Sequence, residues 1–192
     1  MLKSEEILEI LQKTEALLEG HFLLTSGKHS NRYIQCAKVL QYPEHTTTLC
    51  KEMARLFQNT GITTVVGPAT GGIIVAYEVA RQLGVRAIFS ERENGEMVFR
   101  RGFSIKPRDK VLVVEDVVTT GGSVKEVVAL LQRLGADVVG ITAFVQRSKG
   151  IVDMGAPFKP LLELETLVYE PENCPLCKTG KPLIKPGSRG IK

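Results

Sequence analysis

The segment KVLVVEDVVTTGGS, residues 110–123, constrains the fold more than any other part of the sequence. Its run VLVV has no polar alternation, which is typical of a strand covered on both faces, as in a parallel sheet. The turn residues TTGG then lead into SVKEVVALLQRLG, whose apolar spacing predicts a helix. We therefore expect a strand–loop–helix unit of a parallel sheet at this point.

The same order of strand, loop and helix recurs along the chain. Strands are predicted at ITTVVGP, VRAIFSE and ADVVGITAFVQR, and a helix at IIVAYEVARQLG that ends at Gly84. A β-hairpin excursion is predicted over residues 93–102, and a late strand at PFKPLLELE. This alternation indicates an α/β fold with a doubly wound, mostly parallel sheet.

The two ends of the chain follow other patterns. We predict a helix from Ser4 to Gly20, two strands around a polar turn at residues 26–31, and a helix over residues 44–59. The tail CPLCKTGKPLIKPGSRGIK has no apolar periodicity, so residues 171–192 are expected to be irregular. All 192 residues are expected to form a single domain.

Charge and composition narrow the possible partners and location. The formal net charge of +4 is too small to argue for nucleic-acid binding, and it suits an anionic small substrate. The acidic, amphipathic N-terminal segment lacks the apolar core of a secretory signal, and no apolar run approaches the roughly 20 residues of a membrane span. We expect a cytoplasmic protein that contacts neither membrane nor nucleic acid.

The cysteines and histidines show no complete set of metal ligands. They are Cys36, Cys50, Cys174, Cys177, His21, His29 and His45. Cys36 and Cys50 are expected to be buried thiols, and His29 is expected at the surface. A tetrahedral zinc site needs four ligands, and CPLC supplies two of them. A structural turn or no special role is therefore favoured for the CPLC pair, with a metal ion shared across a dimer as the alternative.

The loop after the predicted strand has the composition of a phosphate site. Gly121 and Gly122 allow backbone N–H groups to approach a ligand closely just before a helix begins. Thr119, Thr120 and Ser123 add hydroxyl donors. The loop matches neither the GxxxxGK[ST] nor the GxGxxG pattern, so it is predicted to bind a phosphate monoester without a lysine.

Two acids precede this loop. A carboxylate beside a phosphate is repulsive unless it contacts hydrogen-bond donors, and sugar hydroxyls are such donors. Glu115 and Asp116 therefore indicate a phosphorylated ribose. The alternative is a polar strand end followed by a serine helix cap.

Four segments carry a resemblance to a known family. VLVVEDVVTTGGS resembles the signature with which type I phosphoribosyltransferases bind 5-phosphoribosyl 1-diphosphate (PRPP), and GPATGG at 67–72 resembles their pyrophosphate loop. GHFLLTSGKHSNRYIQ at 20–35 resembles the N-terminal hood of orotate phosphoribosyltransferases, and AFVQRSKG at 143–150 resembles the strand end that supplies an orotate-binding arginine. The resemblance covers most of residues 5–165 and implies a type I phosphoribosyltransferase fold, with a hood contributed by residues 1–42.

The resemblance also implies roles for individual residues. Glu115 and Asp116 are the implied catalytic pair, and the PRPP-binding set is Glu115, Asp116, Val117, Val118, Thr119, Thr120, Gly121, Gly122 and Ser123. The implied orotate-binding residues are Thr119, Arg147, Tyr33 and Ile34. The implied pyrophosphate and mobile-loop residues are Thr70, Gly71, Lys28, Arg92, Arg100 and Arg101.

The pyrophosphate end departs from the better-known bacterial pattern. The mobile loop ENGEMVFRRGFSIK is shorter and lacks that pattern's lysines and His-Gly pair. The lysine expected before Ser-Gly is Thr25, and Thr70-Gly71 replaces an aromatic-lysine step.

The implied reaction is the transfer of phosphoribose from PRPP to orotate in pyrimidine (UMP) biosynthesis, with Mg²⁺ bound mainly through PRPP and a homodimer that shares its active sites. One alternative is a purine-base phosphoribosyltransferase. Another is a non-catalytic PRPP-sensing regulator that binds nucleic acid through Lys178, Lys181, Lys185, Arg189 and Lys192.

Overall fold

The computed structural model describes residues 2–24, 26–147, 150 and 153–186. The helices are α1 (Ser4–Lys13), α2 (Ala37–Leu40), α3 (Pro43–Leu56), α4 (Gly71–Leu83), α5 (Gly122–Arg133) and α6 (Pro175–Lys178). The strands are β1 (Leu17–Leu23), β2 (His29–Ile34), β3 (Thr64–Pro68), β4 (Arg86–Glu93), β5 (Glu96–Val98), β6 (Lys110–Val118), β7 (Asp137–Gln146), β8 (Leu162–Glu163) and β9 (Val168–Tyr169). None of the helices in these ranges is long and apolar enough to cross a membrane.

A six-stranded sheet organises the larger part of the chain. Its strand order is β5-β4-β3-β6-β7-β8, and every neighbouring pair is parallel except β4 and β5. The chain leaves β3 toward one edge of the sheet and leaves β6 toward the other. The neighbouring strands β3 and β6 therefore form a topological switch point, where open α/β sheets bind ligands at the carboxyl ends of the strands.

The two faces of this sheet are covered by different helices. Val65 and Leu112 belong to the core formed with α3 and α4, whereas Val66 and Val113 belong to a second core formed with α5. Neighbouring residues of a strand point to opposite faces, so a strand covered on both sides is apolar throughout. The predicted doubly wound α/β fold is confirmed, and so is the reason for the unbroken run VLVV.

A hairpin is present, but its paired residues are 91–98 rather than the predicted 93–102. Glu91 to Glu93 of β4 pair with Glu96 to Val98 of β5 in antiparallel register. The turn between them is Asn94-Gly95, and both residues have positive φ, 50° and 90°. Asn-Gly is the dipeptide that tolerates this geometry best in tight hairpins.

The N-terminal helix ends earlier than its leucines indicate. The prediction that it extends to Gly20 is wrong, because α1 ends at Lys13 and Leu17 begins β1. Glu15 turns the chain with a φ of 52°, and Leu17 then pairs with Ile34 across the β1–β2 hairpin. Leucine suits both a helix and a half-buried strand, so a partner strand decided between them.

The C-terminal segment, residues 168–186, contacts β1 and β2. Its residues 168–169, which precede the tail predicted to be irregular, form β9 and pair with β2, completing a small sheet of order β1-β2-β9. Within that tail, Pro175–Lys178 form the short helix α6. Further on, the Ile184 N–H donates to the His21 carbonyl at 2.8 Å, and the Leu23 N–H donates to the Ile184 carbonyl at 2.8 Å. The tail has no periodicity of its own because its hydrogen-bond partners lie in β1 and β2. Residues 187–192, including Arg189 and Lys192, lie outside the described residues.

Candidate active site

A cleft lies at the carboxyl end of β6, beside the switch point of the sheet. Its volume is about 310 Å³, and residues 117–124 line it together with Arg92, Glu115 and Glu126. The Thr/Gly loop that the sequence predicted to bind phosphate therefore forms most of its wall.

The loop leads into helix α5, whose first residues line this cleft. Gly121 has a φ of 75°, a backbone conformation that disfavours residues with a side chain, and α5 begins at the next residue. The first turn of α5 contains no acid, so its unpaired N–H groups and partial positive charge remain available to an anion. Thr119, Thr120 and Ser123 are exposed there. This arrangement can bind a phosphate group through backbone N–H groups and hydroxyls.

The two acids lie at the inner end of the loop. The Asp116 N–H donates to Glu115 Oε1 at 3.1 Å, and the Val117 N–H donates to Asp116 Oδ1 at 2.7 Å. Burial raises the pKa of Glu115 to about 9, and the neighbouring Asp116 charge adds to this rise. Burial also raises the pKa of Asp116. In the ligand-free protein, full ionisation of this carboxyl pair is therefore energetically unfavourable. Hydroxyl donors or a cation would stabilise the ionised pair.

The GPATGG loop is packed directly against these acids. A Cβ atom on Gly71 would lie 2.6 Å from Asp116 Oδ2, and one on Gly67 would lie 2.1 Å from the Gly72 carbonyl oxygen. The peptide bond between Ala69 and Thr70 is cis, and Thr70 is exposed at the start of α4. The positive end of the α4 helix dipole therefore lies beside Asp116. The predicted pyrophosphate loop and the two acids are thus neighbours at one end of the sheet.

Arg147 follows the neighbouring strand β7 and lies beside the same loop. Its N–H donates to the Val118 carbonyl at 2.8 Å. Within the part of the chain that the structure describes, its Nε is buried without a hydrogen-bond partner. Burial lowers the pKa of Arg147, while Tyr33 and Cys36 act on that pKa in the opposite direction. An unpaired buried guanidinium N–H is costly, so the geometry favours an anionic ligand at this position.

The hood supplies Tyr33 to this end of the site. Tyr33 is half-buried on β2, and its ring lies 5.8 Å from the Phe22 ring on β1. The Ile34 side chain is 5% exposed and packs in the core, whereas Tyr33 is half-buried and acts to raise the pKa of Arg147. Successive residues of a strand face opposite sides, so these two side chains differ in their surroundings. That both residues contact orotate stays a prediction.

Known proteins match the chain over nearly its whole length. The sequence pattern described as the phosphoribosyl transferase domain matches residues 41–176. An orotate phosphoribosyltransferase of Desulforamulus reducens is 57% identical over 190 residues, covering 99% of this chain and 100% of that protein. One of Thermotoga maritima is 58% identical over 186 residues, covering 97% of this chain and 100% of that protein. The chain belongs to the orotate phosphoribosyltransferase family.

A solved structure agrees with this assignment. The crystal structure of orotate phosphoribosyltransferase from Aeropyrum pernix matches with a TM-score of 0.69 at 26% identity, covering 82% of this chain and 93% of that one. The chain thus has the type I phosphoribosyltransferase fold that the resemblance implied.

The cations assigned to pyrophosphate are distributed unevenly in this member of the orotate phosphoribosyltransferase family. Arg92 lines the cleft, where it pairs with Glu126 at 2.6 Å. Arg101 and Arg100 pair instead with acids of β4, Glu91 at 2.8 Å and Glu93 at 3.4 Å.

Lys28 does not line the cleft either. It pairs with Glu170 near the C-terminus at 2.5 Å. The neighbouring Thr25, and Ser148 and Lys149 of the segment after β7, lie outside the described residues.

One residue beside the site was missed by the sequence analysis. Cys36, predicted only as a buried thiol, has its pKa raised well above the usual range by burial and then by the charges of Asp116 and Glu115. Nothing in its sequence neighbourhood signals this proximity, because the acids lie some 80 residues further along the chain.

Replacing Glu115 with Gln is expected to flatten the pH dependence of stability. Folding raises the Glu115 pKa from 4.5 to about 9. The contribution of protonated Glu115 to the free energy of unfolding is therefore fully present below pH 4.5 and is lost as the pH rises through about 9. One such proton changes the free energy of unfolding by at most about 1.4 kcal/mol per pH unit. Thermal unfolding of the ligand-free protein, measured across this window, should show a higher Tm for Glu115→Gln at alkaline pH. Exposed Glu172→Gln is the control, and parallel profiles for all three proteins would refute the buried-charge explanation.

Replacing Gly71 with Ala is expected to impair catalysis without unfolding the protein. The new methyl group would displace the Asp116 carboxylate, and a misplacement of about 1 Å can cost about 10²-fold in rate. Alanine is also a better helix former than glycine, so Tm should not fall greatly. The measurement is kcat/KM for the single variants Gly71→Ala and Asp116→Asn and for the double variant. Fully additive losses would show that Gly71 acts independently of Asp116.

Proposed function

We propose that this chain transfers the 5-phosphoribosyl group of PRPP to orotate, giving orotidine 5′-monophosphate and pyrophosphate in UMP biosynthesis. The observation that carries the proposal is the Nε of Arg147, which is buried beside the Thr/Gly loop and has no hydrogen-bond partner among the residues that the structure describes. A planar guanidinium binds a carboxylate bidentately, and orotate carries a carboxylate whereas adenine, xanthine and uracil do not. The named relatives, which match across the hood as well, support the same substrate.

The ribose phosphate would divide between two kinds of groups. The first turn of α5, with Thr119, Thr120 and Ser123, would hold the 5-phosphate through donors. Glu115 and Asp116 would accept hydrogen bonds from the ribose hydroxyls, which suits a carboxyl pair that is unfavourable when it has no ligand.

The chemical step exchanges one bond at the anomeric carbon for another. The bond from that carbon to the pyrophosphate oxygen breaks, and the electron pair leaves with pyrophosphate. The ring nitrogen of orotate forms the new bond, and its proton passes to solvent. Positive charge develops on the ribose in between, and the nearby carboxylates stabilise it electrostatically.

Mg²⁺ is proposed as the metal ion of the reaction. The carboxyl pair supports this, because oxygen ligands suit Mg²⁺ and a cation would relieve the unfavourable charge of the pair. The ion would bind mainly through PRPP oxygens, with Glu115 and Asp116 as the protein groups nearest to it. It would neutralise charge on the leaving group.

We also propose a homodimer in which the hairpin serves the active site of a second copy. Arg100 and Arg101 are exposed near the hairpin and do not line the cleft of their own chain. Each is held by a glutamate, which would keep it in place for a pyrophosphate from another protomer. The 67–72 loop would meet the same group through its backbone.

We also propose a single-domain organisation and a cytoplasmic location. Residues 1–192 would act as one domain, in which the hood comes from residues 1–42. Four cysteines without a disulfide suit a reducing compartment, which supports the cytoplasm.

A substrate panel tests the proposed reaction. PRPP-dependent release of pyrophosphate should occur with orotate and Mg²⁺, and should be much slower with adenine, xanthine or uracil. No turnover of orotate would overturn the proposal. Preference for a purine would favour the purine-base alternative. Salt-sensitive binding to DNA or RNA without turnover would favour the regulator.

Replacing Arg147 with Lys is expected to raise the KM for orotate by roughly 10- to 10³-fold while the KM for PRPP changes little. Lysine keeps the charge but loses the planar fork that matches a carboxylate. Initial rates with each substrate varied in turn measure this, and exposed Arg133→Lys on α5 is the matched control. An unchanged KM for orotate would remove Arg147 from the base site.

A further inference from the structure

Four potential metal ligands converge where the C-terminal segment meets the small β1-β2-β9 sheet. His21 lies on β1, and His29 is the first residue of β2. Cys174 directly precedes α6, and Cys177 lies within that helix. Their ligand atoms all lie within 4.8 Å of one another. The sequence analysis did not bring these four residues together, because the histidines are about 150 residues away from the cysteines in sequence.

The distances between these atoms suit a tetrahedral ion. His21 Nε2 lies 2.9 Å from His29 Nδ1 and 3.5 Å from Cys174 Sγ. Cys177 Sγ lies 3.3 Å from His29 Nδ1 and 3.7 Å from His21 Nε2. Zinc bonds of about 2.0–2.1 Å to nitrogen and about 2.3 Å to sulfur place tetrahedral ligands roughly 3.3–3.8 Å apart. These four distances lie within about 0.4 Å of that range, and the two remaining pairs, each within 4.8 Å, would close by at most about 1 Å on binding an ion.

The second ring nitrogen of His21 also indicates a ligand role. His21 Nδ1 lies 2.8 Å from the Lys181 carbonyl oxygen, which can only accept a hydrogen bond. A neutral His21 ring therefore carries its hydrogen on Nδ1 and presents the lone pair of Nε2 to the cluster. Metal-binding histidines are typically oriented by a carbonyl or carboxylate in this way.

Burial argues for a structural ion. His21 and Cys174 are each 1% exposed and His29 is 6% exposed, so His29 is not the surface histidine that was expected. The two thiols and the His29 ring surround the buried Nε2 lone pair of His21. A cation bound at this point would be coordinated by all four side chains. Two sulfurs and two nitrogens are ligands that select zinc, and four protein ligands leave no open position for catalysis.

We propose that His21, His29, Cys174 and Cys177 bind one structural Zn²⁺, which fastens the C-terminal segment to the hood. The strand-like links between these parts are short: β9 pairs with β2 through two residues, and Ile184 makes two backbone hydrogen bonds to β1. Small elements with little core of their own commonly depend on such an ion for stability. The proposal is independent of the substrate of the enzyme.

Metal content tests the site directly. The reduced full-length protein, loaded with Zn²⁺ and freed of excess ion, should contain about one zinc per chain by elemental analysis. Cys177→Ser and His21→Asn should lose it, whereas Cys50→Ala and His45→Asn should retain it. Absence of zinc from the reduced, loaded protein would overturn the proposal, and so would full zinc content in both ligand variants.

Cobalt and proteolysis test the geometry and the role. Co²⁺ in place of zinc should give the intense visible bands of a tetrahedral site and a thiolate charge-transfer band, both weakened in Cys177→Ser. Chelation should lower Tm and speed tryptic cleavage near Lys178 and Lys181, and Cys177→Ser should be cleaved rapidly without chelator. An octahedral spectrum would refute the ligand set, and cleavage that is indifferent to zinc would refute the fastening role.

Discussion

The carboxyl pair Glu115–Asp116 is the constraint around which the rest of the site is arranged. The pair stands at the end of a strand buried on both faces, so burial disfavours its ionised form. The fold surrounds it with groups that suit an anion or a hydroxyl: the start of α4 on one side and the start of α5 on the other. Under the proposed function, a ribose phosphate would offset the cost of keeping the pair without ligand, because it would supply donors to the acids and an anion to the helix.

The sequence predicted the parts of the fold that local patterns determine. The run VLVV, the Thr/Gly loop and the helix after it follow from apolar spacing, turn residues and glycine alone, and the Asn94-Gly95 hairpin follows from its dipeptide. Leu17 was assigned to a helix because leucine spacing cannot reveal a partner strand. Residues 171–192 were predicted to be irregular for the same reason, since the hydrogen bonds of Ile184 run to β1, which lies far away in sequence.

The candidate site was predictable to different depths along the ligand. The ribose-phosphate end lies within one contiguous motif, so sequence alone brought its groups together. The proposed base end combines β2 with the end of β7, and the alternation of β2 buries the Ile34 side chain while leaving Tyr33 half-buried. At the pyrophosphate end, the availability of each arginine depends on the acid with which it pairs. The sequence motif does not reveal that acid, as the Arg101–Glu91 ion pair shows.

Selectivity for the base follows from the same physics as the carboxyl pair. A buried donor without a partner costs free energy, and Arg147 Nε has none among the described residues. Under the proposed function, Arg147 would therefore penalise a base that brings no acceptor to its Nε. Sites that hydrogen-bond a required polar group can reject analogues lacking it by about 10⁴-fold, far more than an apolar pocket can. Such rejection requires that water be kept from the guanidinium, and Tyr33 of the hood lies close enough to influence the Arg147 pKa. Under the proposed function, base selectivity would therefore depend on the position of the hood, and so on the links that join the hood to the C-terminal segment.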